Sequence, residues 1–422
     1  MKQTTYPHQR RNVVLNVMDG GAWFFAISLV SANTILPVFA RHLTSSPLII
    51  GLIPAVLDFG WYVPQLFTAP YVERARQHYR LVLVLGLIER VPFVLLALAF
   101  ALFPQLASGS RLGLVLFLGL LALRACGSGI VATAWQEFIA HIIPPESRGR
   151  FFSMQQFLGN VLGLGGAALA GWLLGHYPFP TNYTWCFAGS AIGVAISWLC
   201  IVGSREPEQP PPVPVQVTGT YRGRLGTILR KDRNFRLYLL TRASFYLSTM
   251  ALGFLAVAAV ERFGLRDDQA AVFTTLVLGG SLASNLAWGT IADRLGYKTV
   301  LALTTIGWIG TLVLAAMAPN VWFLYVVFAL VGATSAGTSL ADLGMVMELG
   351  PVAERPTYIG LARTLTAPFL ALAPLLGGLV ARLTSYQTLF WFALPWAFVS
   401  LAVLYLVAEP ACGDVQLAEA GS

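Results

Sequence analysis

Long apolar runs alternate with short polar segments along almost the whole chain. A helix needs about 20 apolar residues to cross the hydrocarbon core of a bilayer, and twelve runs reach or approach that length. They cover residues 13–40, 48–72, 81–103, 112–143, 151–175, 183–202, 237–260, 269–291, 300–317, 321–349, 357–383 and 388–407. These runs are too long and too uniformly apolar for the strands of a barrel. The pattern predicts an all-α polytopic membrane protein with twelve transmembrane helices.

The longest internal polar segment, residues 204–236, separates the sixth run from the seventh. It begins with a proline-rich stretch, which favours an extended and unpacked backbone. It ends in six bases, which are Arg222, Arg224, Arg230, Lys231, Arg233 and Arg236. We therefore predict two six-helix halves, residues 1–203 and 237–408, joined by a linker at 204–236 and followed by a tail at 409–422.

The two halves show a weak internal repeat. When Arg148, before the fifth run, is aligned with Arg355, before the eleventh, Gly171 falls on Gly378. The same alignment places Ser128 on Ser335. Parallel repeats of this kind are found in transporters whose substrate site lies between the halves, near the midplane of the membrane. The repeat predicts that the halves are pseudo-symmetric.

Composition and charge agree with a membrane protein. Hydrophobic residues make up 56% of the 422 residues and charged residues only 11%, against about 25% charged in soluble domains. The bases concentrate at the N-terminus, in the linker and in the loops on the same predicted side. This bias predicts an integral protein of the cytoplasmic (inner) membrane with both termini cytoplasmic. It also explains the net charge of +8 without a nucleic-acid partner.

The segment between the eighth and ninth runs carries a motif. Its sequence, from Trp288 to Lys298, is WGTIADRLGYK. It resembles the signature loop of the major facilitator superfamily, with Tyr297 in place of a usual base. The resemblance implies a latch on the cytoplasmic side, formed by Gly289, Asp293, Arg294, Gly296 and Lys298. A degraded copy follows the second run, where Glu73 and Arg74 correspond to Asp293 and Arg294.

The resemblance also implies that the first, fourth, seventh and tenth helices line a central cavity. Arg124 lies in a segment similar to the fourth-helix motif of the superfamily, on one helical face with Ser128 and Trp135. Ser335, Thr338 and Asp342 share the equivalent face of the tenth helix. The full set of predicted cavity residues is Trp23, Asn33, Arg124, Ser128, Trp135, Phe245, Ser248, Ser335, Thr338 and Asp342.

Several charges lie within the apolar runs, where each needs a partner or a cavity. Asp19 and Asp342 are candidates for proton coupling, and Asp342 is alternatively a gate or a structural ion pair. Arg242, Arg363 and Glu348 lie near the cytoplasmic ends and are interpreted as gate pairs. Glu89 and Arg90 are adjacent, so we expect them to pair with neighbouring helices and not with each other.

The resemblance implies a secondary transporter that moves a small-molecule solute by alternating access. The many aromatic residues and the sparse cavity charge favour proton-coupled export of amphipathic compounds. The alternatives are uptake of an anionic metabolite, with Arg124 as the binding base, and a transporter-like sensor that binds without transport. The sequence has no GxxxxGK[ST], HExxH or GxSxG motif, so we expect no enzyme activity and no cofactor. No CxxC pair occurs, and no histidines lie at metal-ligand spacing, so no metal site is predicted. We expect a monomer in the lipid bilayer.

Overall fold

The computed structural model describes residues 8–72, 75, 77–207, 228–230, 232–350 and 355–408. Within them the chain is a bundle of long helices, and eleven continuous segments are long and apolar enough to cross a membrane. One of the eleven, Gln269–Met317, contains two predicted spans. The prediction of twelve membrane helices is therefore confirmed.

The spans are numbered here in chain order. In the first half they are span 1 (Gln9–Leu29 with Ile35–Leu43), span 2 (Pro47–Val72), span 3 (His78–Leu102), span 4 (Arg111–Ile142), span 5 (Pro145–His176) and span 6 (Thr181–Val202). In the second half they are span 7 (Arg233–Ser248 with Leu255–Phe263), spans 8 and 9 (Gln269–Met317), span 10 (Val321–Leu349), span 11 (Arg355–Leu383) and span 12 (Tyr386–Leu406). Much of the predicted linker, and all of the predicted tail from residue 409 onward, lies outside the described residues.

Spans 1 and 7 are both interrupted, which their apolar pattern alone does not predict. Span 1 breaks between Leu29 and Ile35, and span 7 tightens into a 3₁₀ helix over Thr249–Phe254. The hydroxyls of Ser248 and Thr249 donate to the carbonyls of Phe245 and Tyr246, so side chains compete with the backbone ladder there. Interruptions at corresponding positions of two halves commonly mark a site in transporters.

Spans 8 and 9 meet at a single residue and not at the longer loop that the sequence predicts. The backbone around Asp293 and Arg294 is helical, and the chain turns at Gly296, whose φ is 80° and ψ 163°. Only glycine adopts this conformation without strain. The signature segment is therefore a sharp bend between two helices, with one glycine as its pivot.

Glycines bring neighbouring helices into backbone contact in both halves. A Cβ on Gly129 of span 4 would overlap the backbone of Gly60 in span 2. Likewise, a Cβ on Gly332 of span 10 would overlap the backbone of Val277 in span 8. Small residues at helix interfaces permit such close approach. The same kind of contact thus holds corresponding helix pairs together in each half.

Candidate functional site

A cavity of about 480 Å³, called here the main compartment, lies between the halves. Trp61, Tyr62 and Gln136 line it from the first half, and spans 7, 9, 10 and 11 provide the rest of the wall. Its aromatic wall also includes Phe245 and Trp308. The lining residues lie in the middle of their spans and towards the end of the bundle where the linker begins, which we call the linker end. We call the opposite end of the bundle the far end.

A buried ion pair is the main polar feature of this cavity. Nη2 of Arg242, in span 7, lies 2.7 Å from Oδ2 of Asp342, in span 10. The guanidinium also stacks on the rings of Phe245 and Tyr246, at 4.6 and 4.7 Å from their centroids. Of the two interpretations of Asp342, the ion pair is therefore the one that the structure forms. It does not exclude a role in binding, because the pair itself faces the cavity.

Three atoms beside this pair form no hydrogen bond within the described chain. They are Nε of Arg242, Oδ1 of Asp342 and Oγ1 of Thr338. Buried polar atoms are normally hydrogen-bonded, and each exception needs an explanation. A donor and two oxygens directed at one cavity are suited to a ligand that has both polar and apolar groups.

A second compartment of about 210 Å³ lies in the first half. Asp19, Trp23, Ser128 and Trp135 line it, together with residues of spans 2, 3, 5 and 6. Because Trp61 and Gln136 line both cavities, the two compartments adjoin. The site therefore consists of two adjoining compartments that differ in chemistry.

The second compartment contains a chain of polar contacts. Ser197 Oγ donates to Oδ1 of Asp19 at 2.6 Å, and Nη2 of Arg90 donates to Ser197 Oγ at 3.1 Å. Arg90 also donates to Oε1 of Glu89 at 2.6 Å. The expectation that Glu89 and Arg90 do not pair is thus wrong. The guanidinium folds back over Gly86, whose missing side chain leaves room for it.

The structure brings most of the predicted cavity residues together. Phe245, Ser335, Thr338 and Asp342 line the main compartment, as does Arg363. Trp23, Ser128, Trp135 and the coupling candidate Asp19 line the second compartment. The faces predicted for spans 4 and 10 each line one of the two adjoining compartments.

Three predicted cavity residues lie elsewhere. Arg124 contacts the rings of Phe93 and Trp23 and lines neither compartment. Ser248 is fully buried and donates to the carbonyl of Phe245. Asn33 is exposed in the break of span 1. Asn33 lies in the break of span 1, which changes the helical register. Ser248 ends the continuous helix that also holds Phe245, and its hydroxyl is used within that helix.

The predicted latch is described only in part. Gly289 is helical with open space beside it, and Asp293 and Arg294 are exposed. Gly344 of span 10 packs against the ring of Tyr297, so the residue that replaces a usual base makes an apolar contact. Glu348, predicted as a gate partner of Arg363, is exposed on span 10. Glu73 and Arg74 lie outside the described residues. The latch and gate roles stay predictions.

Several residues that line the main compartment are not among the cavity residues predicted from the sequence. Tyr62, Gln136, Tyr238, Tyr246 and Trp308 all face the main compartment. Gln136 and Tyr246 directly follow the predicted residues Trp135 and Phe245, and Tyr238 lies two helical turns before Phe245. Tyr62 and Trp308 lie in spans 2 and 9, outside the four helices predicted to line the cavity. The available signal was an aromatic side chain near a polar one at helical spacing, and this signal is too common in membrane helices to select them.

A family model described as Major Facilitator Superfamily matches residues 18–265 and 237–421. The chain belongs to the Major Facilitator Superfamily. The resemblance of the signature segment to this superfamily is confirmed. The structure is similar, over 97% of this chain and 100% of the other chain, to the crystal structure of a D-xylose-proton symporter. The TM-score is 0.71 at 14% sequence identity, so this likeness shows the fold alone.

Two relatives match this chain over shorter stretches. Uncharacterized MFS-type transporter Rv1877 of Mycobacterium tuberculosis is 28% identical over 149 residues, which are 35% of this chain and 21% of that protein. Multidrug resistance protein MdtG of Proteus mirabilis is 27% identical over 157 residues, which are 36% of this chain and 39% of that protein. The matches span less than half the length of either relative.

In this member of the superfamily the halves contact each other at the far end. Oγ1 of Thr34 lies 2.5 Å from Oγ1 of Thr274, and Nε of Arg41 lies 3.2 Å from Oε1 of Glu261. Gly378 of span 11 packs against the backbone of Leu48 in span 2. Together with the cavity position, these contacts describe a bundle whose central space lies on the linker side of a closed far end.

Asp267, in the loop before span 8, is the centre of the polar contacts at this end. Its Oδ2 lies 2.6 Å from Nε2 of His42 and accepts a hydrogen bond from Tyr183 at 2.9 Å. Burial works to raise the pKa of the Asp267 carboxyl. The hydrogen bonds of His42 and Tyr183 and the charge of Arg41 outweigh burial, so the pKa lies below its usual value.

Proposed function

We propose that the protein is a secondary active transporter that exports amphipathic small molecules by alternating access and is driven by protons. The observation that carries the proposal is the composition of the main compartment. Aromatic rings form much of its wall, and a buried ion pair and three unused polar atoms provide directional contacts. A mostly apolar site with a few well-placed polar groups is typical of binding sites for small organic ligands.

The charge balance supports an amphipathic substrate over an anionic metabolite. The two compartments together are lined by three arginines and three carboxylates, which are Arg90, Arg242, Arg363, Asp19, Glu89 and Asp342. Their formal charges cancel. The anion-uptake alternative relied on Arg124 as the binding base, and that side chain lines neither compartment. The partial similarity to a multidrug resistance protein adds support for export.

The linker end is assigned to the cytoplasm. The positive-inside bias supports this orientation, and it makes the present conformation one that is open towards the cytoplasm and closed on the outside. In an exporter this is the state that receives substrate. A monomer in the cytoplasmic membrane completes the proposal.

Asp19 is the proposed proton carrier. It is buried, it faces the second compartment, and its oxygen accepts from Ser197, which Arg90 also contacts. A change in the protonation of Asp19 would therefore affect the Glu89–Arg90 pair through the hydroxyl of Ser197, which contacts both Asp19 and Arg90. Asp342 is the weaker candidate, because its carboxylate is already engaged in a direct ion pair with Arg242.

The test is transport by the purified protein in proteoliposomes, with an imposed proton gradient and amphipathic cations, neutral amphiphiles and organic anions as solutes. We expect uptake of an amphipathic solute into inside-out vesicles that are acidic inside. With Asp19→Asn we expect gradient-driven transport to stop while solute counterflow continues. Transport of organic anions alone would overturn the substrate assignment. Binding of a solute without counterflow would instead favour the sensor alternative.

A further inference from the structure

Two histidines and a glutamate meet at the linker end, away from the transport cavity. His78 begins span 3, His141 lies at the end of span 4, and Glu206 follows span 6 at the start of the linker. One ligand atom from each of these residues lies within 4.8 Å of the other two. The sequence analysis predicted no metal site because these residues are 63 and 65 positions apart in the chain. The fold, and not local spacing, brings them together.

The ring nitrogens of both histidines lie close to the same carboxylate oxygen, Oε1 of Glu206. Nε2 of His78 lies 3.1 Å from the carbonyl oxygen of Val72, which can only accept, so Nε2 carries the proton of the neutral ring. Nδ1 of His78 then has a lone pair, and it lies 3.4 Å from Oε1 of Glu206. Nδ1 of His141 lies 2.9 Å from the same oxygen.

Nδ1–H of a neutral His141 can donate to Oε1 of Glu206, whereas the lone pair on Nδ1 of His78 faces the same oxygen and needs a cation between them. Nδ1 of His78 is buried and forms no hydrogen bond within the described residues. Protonation of both rings would place two imidazolium ions with centroids 4.6 Å apart, and like charges that close disfavour each other. A metal ion would satisfy all three ligand atoms without that repulsion.

Two of the three distances between ligand atoms are close to those around a small tetrahedral ion, and all three atoms lie within 4.8 Å of one another. With metal–ligand distances of about 2.0–2.2 Å, neighbouring ligand atoms lie about 3.4 Å apart. The His78–Glu206 distance of 3.4 Å has this value, and the His141–Glu206 distance of 2.9 Å needs only a small expansion. The surroundings are also those of a metal site, because His78 is oriented by a carbonyl and Oε2 of Glu206 accepts from the backbone N–H of Tyr79 at 2.8 Å.

We propose that His78, His141 and Glu206 bind a divalent transition-metal ion of the Zn²⁺ type. Imidazole ligands select against Mg²⁺ and Ca²⁺, which prefer oxygen. The side chain of His141 is 24% exposed, which gives the ion access and leaves a fourth position for water. A bound ion would fix the first residues of the linker to spans 3 and 4 of the first half. This site is independent of the proposed substrate.

The test uses the full chain, with any purification tag removed, in detergent solution. Zn²⁺ is titrated against a chromophoric chelator, and Co²⁺ is added to detect the absorption of a tetrahedral site. We expect one ion per chain. His141→Ala should weaken binding by more than the about 10–100-fold that is typical when only a residue supporting a ligand is lost. The control is His176→Ala, at the far end, where Nδ1 contacts the carbonyl of Trp172 and the affinity should not change.

Glu206→Gln provides a second variant that keeps the shape of the cluster. It should weaken binding and abolish the tetrahedral Co²⁺ spectrum. Absence of stoichiometric Zn²⁺ binding by the wild type would overturn the proposal. Equal affinity in His141→Ala and the wild type would do the same. A melting temperature that depends on these histidines and on pH, without metal binding, would show an ion-pair contact of the linker in place of a metal site.

Discussion

The Arg242–Asp342 pair affects both the stability of the fold and the proposed binding of substrate. Arg242 is almost completely buried, with 3% of its side chain exposed, so it depends on Asp342 for compensation. Removal of one partner from a buried pair typically costs about 3–5 kcal/mol, because the other charge is left uncompensated. The same side chains face the main compartment. Stability and transport should therefore respond differently to single and double substitutions.

We expect Asp342→Asn to destabilise the protein by about 3 kcal/mol and to lower its melting temperature in detergent. The matched control is the double variant Arg242→Met with Asp342→Leu, in which no charge is left unpaired. The double variant should recover most of the stability but not substrate binding, measured by ligand-induced thermal stabilisation. Substrate binding at wild-type strength in the double variant would show that the ion pair does not contribute to substrate binding.

Gly296 offers a second prediction at the scale of one residue. Its φ of 80° and ψ of 163° lie in a region that costs other residues about 1–3 kcal/mol. We expect Gly296→Ala to lower the melting temperature accordingly. Gly289→Ala is the control, because Gly289 lies in the preceding helical turns with open space around it. Equal melting temperatures for the two variants would mean that the bend between spans 8 and 9 is not held by backbone conformation.

At the scale of elements, the apolar pattern predicted the number and extent of the spans, but not the breaks and side-chain contacts within them. The run lengths alone are enough for twelve spans, because lipid imposes both length and helicity. The same pattern could not locate the breaks in spans 1 and 7, which depend on hydroxyl contacts such as Thr34 with Thr274 across the halves. Nor could it anticipate the Glu89–Arg90 pair, since the space over Gly86 exists only after packing. The lining residues in spans 2 and 9 were not predicted because their position at the cavity likewise exists only after packing.

Spans 2 and 11 form a contact between the halves that can be tested directly. A Cβ on Gly378 would lie 2.9 Å from Cα of Leu48 and from the carbonyl oxygen of Pro47. Overpacking of this kind typically costs about 1–3 kcal/mol. Because this contact closes the far end, we expect Gly378→Ala to shift the population towards conformations in which that end is open, about tenfold for each 1.4 kcal/mol.

The control for this contact is Gly360→Ala, in the same span, where an added Cβ meets open space. Spin labels on Gln105→Cys and Asn320→Cys, in a background without native cysteines, report the distance across the far end. Both positions are exposed, Gln105 in the short 3₁₀ helix Pro104–Ala107 of the first half and Asn320 directly before span 10 in the second. Gly378→Ala should populate longer distances and Gly360→Ala should not. Identical distributions would show that the glycine contact does not limit opening.

For the whole molecule, the polar contacts at the far end determine which side of the site is closed. His42 and Tyr183 from the first half meet Asp267 from the second, so opening this end must separate them. The pKa of Asp267 is lowered in the closed state, whereas an unpaired aspartate has a pKa near 3.9. The contribution of Asp267 to closure is therefore complete above that ordinary value. It is lost as the pH falls through the lower pKa of the closed state.

This linkage predicts two results for the same pair of spin labels. In the wild type, acid should begin to open the far end only below about pH 4, and the contribution of Asp267 to closure should stay constant between pH 5 and 8. Asp267→Asn removes the charged acceptor and should increase the open population already at neutral pH. Glu137→Gln, an exposed substitution near the linker end, is the control and should leave the distances unchanged. If Asp267→Asn kept the wild-type distribution at pH 7, the far end would be held by packing such as Gly378 on Leu48 and not by this carboxylate. In that case Gly378→Ala alone would open it, so the two variants together separate a steric from an electrostatic closure.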